Sequence, residues 1–102
     1  MSNESLAGRS LILQLLIGEG VTHLFGNPGT TELAIMEAVP HFPQLKYVLG
    51  LQESVVIGMA DGYAQVTNNA GFVNLHSAAG VGHAMGNIFT AYRNRTPLVI
   101  TA

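Results

Sequence analysis

Three short segments carry residue types that could do chemistry: Leu51-Gln52-Glu53, Asn27-Pro28-Gly29-Thr30 and Asn74-Leu75-His76-Ser77. Glu53 is the most informative, because the apolar segment from Lys46 to Leu51 gives way there to a stretch of helical character. That segment reads as a strand covered on both faces. The stretch after it carries Gly58, Ala60, Gly62 and Ala64, small enough for other backbone to come close. A carboxyl group at such a junction is expected to be largely withdrawn from water. Desolvation disfavours the charged form and suits the group to sharing a proton with a bound base near neutral pH. The plainer alternative is an acid in the first turn of a helix, complementing its dipole. His76 stands where a strand opens into a small-residue stretch, and is either a proton-handling group or a hydrogen-bonded structural histidine. Thr30 is most simply a helix cap.

These residues need elements to hold them. Ser5 caps a first helix running to about Ile17, with Ala7, Leu11 and Leu15 on one stripe and Ile12 and Leu16 on the next. Gly18-Glu19-Gly20 ends it. A strand over 21–25 leads into Gly26-Asn27-Pro28-Gly29, whose Pro-Gly order suits a type II turn. Thr30 or Thr31 then caps a helix to about Val39, stopped by Pro40. The strand before Glu53 and a helix from Glu53 to about Val66 come next, followed by a turn over 68–71. A strand over 72–76, a small-residue loop over 77–82, a helix from His83 to about Tyr92 and a strand from Pro97 complete the series. The alternation predicts an α/β fold, a mostly parallel sheet flanked by helices. In such sheets ligands bind outside the carboxyl ends of the strands. All three chemical segments fall at those ends and are expected to line one crevice. Phe25, Phe72, Tyr47 and Tyr63 read as core.

The 102 residues suit one domain, but only 10% are charged and 48% are hydrophobic. A typical soluble domain has roughly 25% charged residues, so much of this surface is expected to be covered by further chain or by a partner. The apolar strand at the end, with nothing after it, carries the same expectation: residues 1–102 as an incomplete domain of a longer protein. The net charge is -2, and Arg9, Lys46, Arg93 and Arg95 form no broad basic patch, which argues against nucleic acid. No apolar run reaches the length of a membrane span, and Met1-Ser2-Asn3-Glu4 lacks the basic region of a signal peptide, so a cytoplasmic protein is expected. There is no Cys, hence no disulfide or thiolate chemistry. His23, His41, His76 and His83 show no paired metal-ligand spacing, and no metal site is expected within this chain. Gly80, Gly82 and Gly86 suggest a dinucleotide loop, but the fingerprint's third glycine would fall at Met85, and no acid follows Asp61 to hold a ribose.

Taken together, the run from Phe25 to Leu33, Leu51-Gln52-Glu53, the run from Gly58 to Ala64 and the run from Asn74 to Gly80 resemble the N-terminal, pyrimidine-binding domain of thiamine diphosphate-dependent decarboxylases, most closely those acting on benzoylformate. The resemblance extends from about Leu6 to Ala102. It implies that Glu53 hydrogen-bonds N1′ of the cofactor's aminopyrimidine, promoting the tautomer that activates the thiazolium carbon for attack on a 2-oxo acid, from which carbon dioxide leaves. By the same resemblance Pro28 and Gly29 bring backbone close to the pyrimidine, Thr30 sits by the substrate carboxylate, and His76 binds substrate and handles protons. This sequence has Thr30 where those decarboxylases have Ser, and His83 where they have Asn. It also lacks the Gly-Asp-Gly motif through which the family's C-terminal domain binds the diphosphate with Mg²⁺, so the Mg²⁺ ligands are expected outside this chain. A homodimer or homotetramer with the site at a subunit interface is implied. Two alternatives stand beside the decarboxylase: an acetolactate synthase-like carboligase, and a non-catalytic or split module whose partner supplies the diphosphate domain.

Overall fold

Strand and helix alternate through the chain, so each strand re-enters the sheet in the same direction as the last. The computed structural model describes residues 8–102. The expected cap at Ser5 and the place of Ala7 lie outside these. The described elements are α1 (Gly8–Gly18), β1 (His23–Gly26), α2 (Leu33–Ala38), β2 (Lys46–Leu49), α3 (Glu53–Thr67), β3 (Gly71–Asn74), α4 (Ser77–Arg93) and β4 (Leu98–Thr101). Short 3₁₀ turns, Thr30–Glu32 and Val39–His41, flank α2. All strand pairings are parallel, in the order β2-β1-β3-β4. The α/β architecture with a parallel sheet is therefore as the alternation predicted.

The period of two along the central strands divides the core between the two faces of the sheet. Leu24 and Phe72 pack with Leu13 of α1, Ala38 of α2 and Leu45. Phe25, Val73 and Leu75 face the other way, onto Val56, Ile57 and Ala60 of α3 and Ala84 of α4. Among the described strands only β1 and β3 have neighbours on both sides. The strand before Glu53 was expected to be covered on both faces; in β2, an edge strand, Tyr47 packs on one face and Val48 on the other, both half-buried, while Lys46 and Leu49 are exposed. An apolar run cannot distinguish a central strand from an edge that further structure could cover.

In α1 the buried residue is Leu13, with Ile12, Leu16 and Ile17 packed beside it, whereas Leu11 and Leu15 are exposed. The expected Leu11/Leu15 stripe is thus not the packing face. So many positions of this helix are apolar that the tertiary partner chooses among them. Its end follows expectation: Gly20 has φ +84°, Gly20 N–H donates to Ile17 O at 3.0 Å and Val21 N–H to Leu16 O at 2.9 Å, a Schellman cap. Helix α3 is capped by Gln52, whose Oε1 accepts from Ser54 N–H at 2.6 Å and Val55 N–H at 3.3 Å. It closes on Asn68 in the left-handed region, φ 59°.

The largest departure concerns α4. It begins at Ser77, so residues 77–82, expected as a loop, form its first turns. Glycine in a helix costs about 1 kcal/mol relative to alanine, which is why Gly80 and Gly82 read as breakers. Here the close packing of α4 on α3 outweighs that cost. Ile57 and Leu75 are fully buried, and side chains of that size contribute about 1.5–3 kcal/mol each.

Candidate functional site

The order β2-β1-β3-β4 places the topological switch between the carboxyl ends of β1 and β3. Asn27-Pro28-Gly29 leaves β1 there, Leu75-His76 leaves β3, and α3 starts with Glu53 after β2. These segments come together as expected. Asn27 Nδ2 donates to Glu53 Oε2 at 3.5 Å, and the His76 ring lies against the α-carbon of Gly29.

Glu53 is held by the end of β2 and the Gln52 cap at the positive end of the α3 dipole. Its side chain is 13% exposed. Its carboxylate has His83 Nδ1 at 3.6 Å from Oε1 as well as Asn27 at 3.5 Å from Oε2. Good hydrogen bonds to oxygen span about 2.7–3.2 Å, so both contacts leave this carboxylate with acceptor capacity to spare. Gly80 provides the room: a Cβ there would stand 3.3 Å from Glu53 Cγ and 3.5 Å from Oε2. A mostly buried acid with weak donors around it and Gly80 beside it fits the nitrogen edge of a planar heterocycle.

Gly29 behaves differently from its sequence reading. A type II turn would place it in the left-handed region, but its φ is -121° and ψ -159°, extended backbone open to any residue. What requires glycine is space, since a Cβ would lie 2.5–2.7 Å from ring atoms of His76. Gly29, not Thr30, is the residue preceding the first turn, and it has no side chain with which to cap it. Instead Glu32 reaches back, its Oε2 accepting from Gly29 N–H at 2.7 Å. The same oxygen stands 2.9 Å from His76 Nδ1. Thr30 is exposed and Pro28 half-buried. Pro40 does not end α2 abruptly; the helix tightens after Ala38 into the 3₁₀ turn that contains it.

Glu32 was assigned no role by the sequence reading. A signal did exist: a Glu three residues after Gly29 at a helix start matches the reciprocal half of a capping box. Its burial, with 4% exposure, could not be read from that spacing.

Behind Gly26 lies the Tyr47 hydroxyl, buried and with no hydrogen-bond partner among the described residues. Burial, and secondarily the charge of Glu32, pushes the phenol up to about 12 from 10.0. We expect Tyr47→Phe to stabilise the full-length protein by about 1 kcal/mol, since an unpaired buried polar group is removed at nearly constant shape. The folded-state value lies above the unfolded one. Stability that rests on the neutral phenol is therefore complete below pH 10.0 and lost as pH rises toward about 12. The gap between variant and wild-type urea midpoints should hold steady below pH 10.0 and widen as pH rises from there toward about 12; a constant or closing gap over that range would contradict this account.

Among the described residues no group of three or more His, Asp or Glu could hold a metal ion, and no helix is long and apolar enough to cross a membrane.

Residues 6–102 match the model of the thiamine pyrophosphate enzyme family, N-terminal TPP binding domain. The chain is 46% identical over 89 residues to benzoylformate decarboxylase of Pseudomonas aeruginosa, covering 87% of this chain and 16% of that protein. It is 36% identical over 97 residues to the acetolactate synthase large subunit of Haemophilus influenzae, covering 95% of this chain and 17% of that protein. Among solved structures it superposes on benzoylformate decarboxylase from Polynucleobacter necessarius with a TM-score of 0.84 and 42% identity, covering 90% of this chain and 17% of that one. The thiamine diphosphate-dependent 4-hydroxybenzoylformate decarboxylase of Rhodococcus jostii gives 0.85 and 43%, with the same coverages. The chain thus spans about a sixth of the length of the relatives it matches.

Proposed function

The chain belongs to the N-terminal TPP binding domain family of thiamine pyrophosphate enzymes, and on that premise we propose that its parent protein decarboxylates an aromatic 2-oxo acid of the benzoylformate type. The observation that carries this is Glu53, mostly buried at the start of α3 with acceptor capacity left over and Gly80 beside it. Identity of 46% to a benzoylformate decarboxylase favours that substrate class over a small 2-oxo acid.

Thiamine diphosphate supplies, when bound, the carbon nucleophile and electron sink that loss of carbon dioxide requires. In our reading this chain's residues prepare the pyrimidine half of that cofactor. Glu53 accepts the N1′ hydrogen bond and holds the proton exchanged there. Pro28 and Gly29 let backbone lie against the ring. Thr30 borders the substrate carboxylate, and His76 takes and returns protons beside the reacting carbons. Residues 1–102 form part of a pyrimidine-binding domain, and the diphosphate with its Mg²⁺ is held elsewhere in a cytoplasmic homodimer or homotetramer.

A carboligase reading has its own support in the 36% identity to acetolactate synthase. The experiment is product analysis of the full-length protein given benzoylformate or pyruvate, with and without thiamine diphosphate and Mg²⁺. We expect cofactor-dependent carbon dioxide and benzaldehyde from benzoylformate. Acetolactate from pyruvate with no benzaldehyde from benzoylformate would replace the decarboxylase by the carboligase.

A further inference from the structure

Glu32 is a buried carboxylate with no part in the function proposed above. Its Oε2 receives two donors from separate parts of the chain, Gly29 N–H at 2.7 Å and His76 Nδ1, 44 residues after Glu32 itself, at 2.9 Å. Two short donors on one oxygen favour the ionised carboxylate, which can only accept. The hydrogen between Nδ1 and Oε2 therefore belongs to the imidazole. In a neutral ring with hydrogen on Nδ1, the lone pair is on Nε2, on the opposite edge.

The surroundings leave the ring little choice of pose. Its flat side lies against Gly29, where even a methyl group would stand 2.5–2.7 Å from ring atoms. The backbone after it turns sharply, with Ser77 in the left-handed region at φ 53°. A serine there costs of order 1 kcal/mol or more, which the packing of α4 must offset. Glu32 is 4% exposed while the His76 side chain is 35% exposed. The carboxylate is thus anchored in the protein and the imidazole is at the crevice.

We propose that Glu32 is a positioning residue: it fixes His76 as the Nδ1–H tautomer, so that the Nε2 lone pair can accept a proton from the bound reactant and return it. This rests on the proton-handling role given to His76 above. Glu32 itself never touches the reactant. The hydrogen on Nδ1 stays in place while the second proton arrives at and leaves Nε2, so the ring passes through the imidazolium, which the adjacent carboxylate stabilises.

The test has one arm independent of activity. Full-length protein with ¹⁵N-labelled histidine, measured near pH 9, well above the ordinary histidine range of about 6.5, reports which ring nitrogen carries hydrogen. His76 is assigned by the signal lost in His76→Ala. We expect Nδ1–H; an Nε2–H ring in the wild type would overturn the positioning whatever the activity. The second arm is a double-mutant cycle on kcat. Glu32→Leu, which removes the acceptor, should lower kcat about 10- to 100-fold with little change in KM. Glu32→Gln, which keeps one acceptor oxygen, should recover part of that loss. In the His76→Ala background neither change should alter kcat by more than about twofold. Equal losses in both backgrounds would make Glu32 structural and overturn the proposal alone. Undiminished turnover in His76→Ala would overturn the role of His76 and the positioning built on it.

Discussion

Glu53→Gln in the full-length protein is expected to lower decarboxylation by about 10²–10⁴-fold, the span covered by a positioned acid or base, while leaving the unfolding midpoint within experimental error. The two side chains are nearly the same shape, so the fit beside Gly80 and the approach of Asn27 survive. What changes is chemistry. A carboxylate presents acceptors only and can take up a proton; a carboxamide cannot exchange one at this pH, and half of its polar edge donates. An N–H facing that edge then meets either a weaker acceptor or another donor. Asn27 and His83, at 3.5 and 3.6 Å, are not placed to replace the lost group. Carbon dioxide release and urea unfolding, measured on the same preparation, separate the two effects. Turnover near that of the wild type would remove Glu53 from the mechanism, and a collapsed midpoint would mark it as structural.

Gly26→Ala is expected to be the most destabilising small change near the site, by about 3 kcal/mol, at the upper end of overpacking costs. Gly26 ends β1, and its missing side chain is what admits the Tyr47 hydroxyl from the neighbouring strand; a Cβ would collide with that oxygen and stand 2.9 Å from Asn74 O. The carbonyl belongs to β3, which is hydrogen-bonded on both sides, so it cannot retreat without opening the sheet. Tyr47→Phe in the same chain should restore only part of the loss, because it removes the hydroxyl clash and leaves the backbone one. Full restoration would show that the carbonyl contact is unimportant, and an unchanged urea midpoint for Gly26→Ala alone would refute the close approach. The displaced β1–β3 edge carries Asn27 and His76, so catalysis should fall along with stability.

Alternation of apolar runs with turn signals is a local property, and it was enough to determine the parallel α/β arrangement and the position of Glu53 at a strand-to-helix junction. With the rule for carboxyl ends of strands, it also grouped Asn27-Pro28-Gly29, Glu53 and His76 into one crevice, and the quoted motifs pointed to the family. The Schellman bonds of Gly20 to Ile17 and Val21 to Leu16 close α1 as Gly20 foretold, because a left-handed cap depends on neighbouring backbone alone. What only tertiary structure decided is steric and long-range. Helix α4 starts at Ser77 because it packs along α3, with Gly80 and Ala84 buried on that side. Gly29 must be glycine because a ring 47 positions later in the chain rests on it, a contact that no turn preference encodes. Glu32 joins His76 only after β1 and β3 pair and bring their carboxyl ends together. Local patterns specify which elements form; which atoms meet depends on how closely distant elements can approach, and that is set by the packed core.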